Sequence, residues 1–103
     1  MTDLKIISWI FYALEMASGT GSANFREISQ IADGINHAVP TDKELQQSLD
    51  ALISVGFVSK ESKRYQLTDE GKLVLMAAHK NSNTISQTWA NLHKLLMSHI
   101  KLP

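Results

Sequence analysis

Apolar positions recur along the chain with two different periods, and the change from one to the other divides it into elements. From residue 3 to about residue 17 they are almost continuous: Leu4, Ile6, Ile7, Trp9, Ile10, Phe11, Leu14 and Met16, with Lys5, Ser8, Tyr12 and Glu15 confined to one narrow strip. A helix that is apolar around most of its circumference must be covered on more than one side, so this pattern predicts a second layer over the first helix, from a terminal helix or another subunit. Ser18-Gly19-Thr20-Gly21-Ser22 has loop composition. A second helix starts at Asn24, with Glu27 at capping-box spacing. Phe25, Ile28, Ile31, Ala32 and Ile35 form its apolar stripe, while Arg26, Gln30, Asp33 and His37 point the other way. Pro40 bars continuation of that helix.

Thr41 and Glu44 form a Thr-x-x-Glu capping box directly after the proline and open a third helix. It runs to about Val55, buries Leu45, Leu49, Leu52 and Ile53, and stops at Gly56. The period then shortens. Residues 57–60 and 64–67 read as two short strands joined by a tight Glu61-Ser62-Lys63 hairpin. Thr68 caps a fourth helix reaching about His79, with Asp69 and Glu70 in the first turn, where the helix dipole favours acids. A last helix spans about residues 84–100. Its stripe of Ile85, Trp89, Leu92, Leu96 and Ile100 is spaced four, three, four and four, like a short coiled-coil seam. Surplus apolar surface on the first and last helices predicts a homodimer, with Trp9, Ile85, Trp89, Leu92, Leu96 and Ile100 at the interface.

Composition narrows the setting. The 103 residues suffice for one domain with one core, and 44% hydrophobic against 19% charged residues is globular composition. The chain has no Cys, which excludes disulfides and thiolate chemistry and fits a reducing cytoplasm. Residues 6–17 followed by Ala17-Ser18-Gly19 have the outline of a cleavable leader. Glu15 inside the run, Lys5 beside Asp3 as the sole positive flank, and a length too short for a bilayer favour a buried helix and no membrane span. Formal net charge is zero, so any nucleic-acid binding must come from local patches.

The element order is three helices, two strands and a helix, with one more helix at the end. Leu49-x-x-Leu52-Ile53-x-x-Gly56-Phe57-Val58, followed by Tyr65-x-Leu67-Thr68-x-x-Gly71, resembles the winged-helix pattern of bacterial regulators such as the MarR and PadR families. The resemblance covers about residues 24–75. It implies a mainly α fold with a small two-stranded hairpin: a winged helix-turn-helix with extra N- and C-terminal helices. The expected division is a single domain over residues 1–103, with a body at 18–79 and dimerising flanks at 3–17 and 84–100. It further implies a cytoplasmic, homodimeric transcription regulator whose third helix enters the major groove of double-stranded DNA while the hairpin touches the backbone. The hairpin departs from the family pattern in being short and in carrying Glu61.

On that reading Lys43, Gln46, Gln47, Asp50 and Ser54 of the third helix face the bases, and Arg26, Lys60, Lys63 and Arg64 meet phosphates. Against it, the third helix carries Asp42, Glu44 and Asp50 with Lys43 alone to balance them, which suits a solvated face or a module that binds protein instead of DNA. An apolar pocket between the first and last helices, able to sense a ligand, is compatible with either. His37, His79, His93 and His99 show no metal-ligand spacing; His93 and His99 lie on different faces of one helix. Asp33 and His37 are four apart, but no nucleophile or glycine-rich phosphate loop accompanies them. No enzyme, metal or cofactor is expected. Residues 35–40 form a distinctive segment to which no function attaches.

Overall fold

Each helix begins at a side chain that accepts a hydrogen bond from its own first turn. Asp3 accepts from the Ile6 N–H ahead of α1 (Leu4–Ser18), and Asn24 from Glu27 ahead of α2 (Phe25–Asn36). Thr41 accepts from Glu44 ahead of α3 (Asp42–Ser54), Thr68 from Gly71 ahead of α4 (Asp69–His79), and Thr84 from Gln87 ahead of α5 (Ile85–His99). At Asn24 and Thr41 the glutamate three residues on returns the bond to the cap N–H, at 2.9 Å in both cases, so both capping boxes are complete. Replacing Thr41 with alanine is expected to cost about 1 kcal/mol, measured as a shift in the urea midpoint with unchanged slope. A shift indistinguishable from zero would remove the cap from the account.

The computed structural model describes residues 3–100; residues 1–2 and 101–103 of the expected single domain lie outside them. Among the described residues the architecture is mainly helical with one two-stranded antiparallel sheet, β1 (Val58–Glu61) and β2 (Arg64–Leu67). The register pairs Val58 with Leu67 and Glu61 with Arg64. The turn is therefore Ser62-Lys63, one residue shorter than the sequence suggests, because Glu61 is paired within the strand. Ser62 takes a φ of 57°, the mirror-image turn conformation that suits strand twist. Gly56 closes α3 at φ 84°, where a side chain would be strained.

β2 has a second neighbour. Ala23 exchanges both backbone hydrogen bonds with Tyr65, each at 2.8 Å, so the loop before α2 lies against the free edge of the hairpin. This single bridge ties the start of α2 to the strands and fixes which side chains meet there.

α1 sits at the centre of the core and packs against α2, α3 and α5, instead of flanking the body. Its residues 7–14 are all buried. Trp9, 4% exposed, donates from Nε1 to the Ala32 carbonyl at 2.9 Å. The second layer required by its apolar circumference comes from α5 of the same chain: Trp89 Nε1 lies 3.1 Å from the Lys5 carbonyl and 3.0 Å from Ser8 Oγ. Trp9, Leu92, Leu96 and Ile100 are buried within one chain, Trp89 is half-buried, and Ile85 alone of the expected interface set is exposed. This corrects the premise of the expected interface. The α5 seam covers α1, so those six side chains do not form one free apolar face. No helix among the described residues is long and apolar enough to cross a membrane.

Candidate functional site

Three elements converge beside the Ala23–Tyr65 bridge. The start of α2, the middle of α3 and the hairpin enclose a cleft of about 380 Å³. Phe25 and Tyr65 form an aromatic wall, stacked with centroids 5.7 Å apart and planes at 22°. Arg26, Lys60 and Lys63 also line the cleft, and Gln46 enters from α3. The lining holds three cationic side chains and no carboxylate. Lys60 Nζ stands 5.5 Å from the Tyr65 ring centroid, a cation–π contact that holds the ammonium at the rim. The Asn24 capping box takes up the Asn24 and Glu27 N–H groups at the start of α2, and the three cationic side chains add positive charge at this place. The combination is a concave apolar surface with a cationic edge, in which Tyr65 is 2% exposed and backs the accessible ring of Phe25.

Arg64 takes a different position from its three basic neighbours. Its Nε donates to Ser22 Oγ at 2.9 Å, and its Nη2 to the Ser22 carbonyl at 2.8 Å and to Glu27 Oε1 at 3.2 Å. The ion pair alone contributes little, because both partners are about half exposed. Its geometric effect is larger: one guanidinium fastens β2 to the loop and to the first turn of α2. Of the four expected phosphate contacts, Arg26, Lys60 and Lys63 line the cleft, and Arg64 braces its frame.

The outward face of α3 carries Lys43, Asp50 and Ser54 exposed and Gln46 and Gln47 half-buried. All five fall on one arc of the helix. Gln46 Nε2 donates to Asp50 Oδ1 at 2.8 Å, so the amide that lines the cleft also orients the carboxylate beside it. On the other side of Phe25 and Arg26 lies a second cleft of about 450 Å³, with Val39 and Leu45 as its apolar part and Asp33 and Asp42 at its edge. Sequence reasoning missed Asn24, Phe25 and Tyr65 as lining residues. The sequence pattern puts Phe25 in a core stripe and Tyr65 in a strand, and only the long-range pairing of Ala23 with Tyr65 places the two rings together.

The histidines are dispersed. His37 ends α2 in a left-handed conformation at φ 55°, with its N–H on the Asp33 carbonyl, so that pair meets through backbone. His79 Nε2 lies 2.7 Å from Glu15 Oε1, and His99 sits edge-on to Phe57. His93 lies beside Lys5 and Trp89 in a shallow hollow of about 250 Å³ between α1 and α5, the place expected for a ligand pocket. Among the described residues no three His, Asp or Glu side chains gather closely enough to hold a metal ion. Comparison with protein-family models, with curated proteins and with solved structures finds no match for the chain.

Proposed function

We propose that the chain is a winged helix-turn-helix regulator that binds double-stranded DNA, acting as a homodimer in the cytoplasm. The observation that carries this reading is the convergence of Arg26, Lys60, Lys63 and the α3 residue Gln46 on one cleft. Helix face and hairpin then address the same partner. In this arrangement α3 enters the major groove with Lys43, Gln46, Gln47, Asp50 and Ser54 toward base edges, and the hairpin lysines and Arg26 reach phosphates. The Ala23 bridge supports the reading, since it gives β2 a second backbone neighbour and holds the hairpin against α2. Three phosphate contacts per chain give modest affinity, which is why two copies are part of the proposal.

The test is duplex binding by fluorescence anisotropy across a salt series. Lys60→Ala and Lys63→Ala should each weaken binding to every sequence and lower the log–log salt slope by about one. Gln46→Ala should leave the slope unchanged and lose discrimination at one base pair. Asp50→Lys should raise non-specific affinity by removing a negative charge from the approaching face.

A second reading has its own support. Asp33 and Asp42 at the edge of the second cleft, with Val39 69% exposed beside them, suit a basic protein segment better than a phosphate backbone. Absence of duplex binding by wild type and Asp50→Lys alike, at tens of micromolar protein where non-specific complexes ordinarily form, would replace the DNA reading with this one.

A further inference from the structure

Of the large apolar side chains left exposed among the described residues, Met16, Ile85 and Met97 are scattered over α1 and α5, and two stand together on α4. Leu73 is 64% exposed and Met76 67%, and both lie on α4. The helix buries Gly71, Leu75 and Ala78 on its inner side. Its outer side, at 100° per residue, gathers Asp69, Glu70, Leu73, Met76, Ala77 and Lys80 into one strip about a third of the circumference wide. All six are exposed. None of them lines the cleft formed by α2, α3 and the hairpin.

The order along this strip decides what covers it. Two acids stand at the N-terminal end, apolar side chains fill the middle, and Lys80 stands at the C-terminal end. Lys94 of α5 adds a second cation, lining the same surface groove as Ala77 and Lys80. Two pairs mirror one another about the midpoint between Val74 and Leu75, Asp69 with Lys80 and Leu73 with Met76, while Glu70 comes opposite His79. Laid antiparallel on a second copy of itself, the helix brings Leu73 against Met76 of the other chain. Asp69 and Glu70 then come over the end that carries Lys80 and Lys94. The span from Asp69 to Lys80 is roughly 16 Å at helical rise, so both charged ends engage at once. Ala77 comes opposite Lys72 of the other copy, and its small side chain leaves room for the lysine stem. A face complementary to itself through a two-fold axis is the condition for an isologous dimer.

We infer that the chain self-associates through the outer face of α4, with two copies antiparallel about the Val74–Leu75 midpoint. The apolar centre supplies burial, and the acidic and basic ends set the direction: parallel pairing would place acid on acid and lysine on lysine. This assignment stands independently of what the α3 face binds.

Sedimentation equilibrium of the full chain, from low to several hundred micromolar, tests it. Wild type should be dimeric at the upper end. Leu73→Glu should weaken association at least tenfold while leaving the thermal transition of the monomer in place, since Leu73 contributes little to the core. Charge exchange tests direction. Asp69→Lys with Glu70→Lys in one chain, and Lys80→Glu with Lys94→Glu in another, should each be monomeric alone. Mixed, they should form a heterodimer, because both ends of that pairing become attractive. A wild-type monomer throughout the range, a dimer indifferent to Leu73→Glu, or charge variants that fail to recover association on mixing would each overturn the inference.

Discussion

Gly71→Ala is expected to destabilise the fold by roughly 3 kcal/mol, at the upper end of what overpacking produces. The sign is the informative part. At an ordinary helical position alanine is better than glycine by about 1 kcal/mol. Gly71 occupies the first turn of α4, where a Cβ would stand 2.1 Å from the Phe57 carbonyl oxygen and 3.0 Å from its carbonyl carbon. Both atoms are backbone, so no side chain can swing aside. The same backbone is bonded to the start of α4. Thr68 N–H donates to the Phe57 carbonyl at 3.1 Å, and Thr68 Oγ1 donates to the Gly56 carbonyl at 2.6 Å. Admitting a methyl group means lifting α4 off the Phe57 backbone just ahead of β1 and losing those bonds. Urea unfolding reads the change directly; a Gly71→Ala variant as stable as wild type, or more so, would show that the helix does not approach the Phe57 backbone this closely.

The second large effect is at Trp9. Trp9→Ala should cost about 3–5 kcal/mol, the range for deleting a buried indole. Its ring fills the space between α1 and α2, and its Nε1 is satisfied by the Ala32 carbonyl. Trp9→Phe separates the contributions: it keeps most of the apolar volume and loses the hydrogen bond, for about 1 kcal/mol. Trp89→Ala should cost less than Trp9→Ala, because Trp89 is half-buried. The measurement also distinguishes core from interface. A core tryptophan lowers stability equally at low and high protein concentration, whereas one that faces a second subunit acts through the association constant. An effect of Trp9→Ala that vanishes on dilution would return this residue to the interface.

What could be read from the sequence follows the range of the interactions involved. Capping boxes at Asn24 and Thr41, the stop at Gly56 and the Thr68 cap are set within four residues, and the structure has each where the pattern predicts it. The apolar stripe of α5 was equally visible, but a four-three spacing is the same whether a helix covers its own chain or a neighbour's. Here it covers α1. Arg64 shows the same limit in charge: locally it is one more base beside a turn, and only the fold brings Ser22 and Glu27 to its guanidinium. Ala23 makes a bridge of one residue, too short to have a period. The Tyr65–Gly71 run marked positions without reasons, and the approach of Gly71 to Phe57 now supplies one of them. Ser48, buried in α3 with its hydroxyl unpartnered, has no account in either sequence or packing.

The proposed duplex-binding surface is one cleft, formed by α2, α3 and the hairpin. Amide chemical-shift mapping of the full chain titrated with a short duplex at low salt tests it most directly. Shifts should concentrate at residues 24–26, 43–50 and 60–65, with residues 69–79 of α4 unmoved at a protein concentration that already holds the chain dimeric. Shifts confined to α4 and α5, or none at any site as duplex is added in excess, would contradict it.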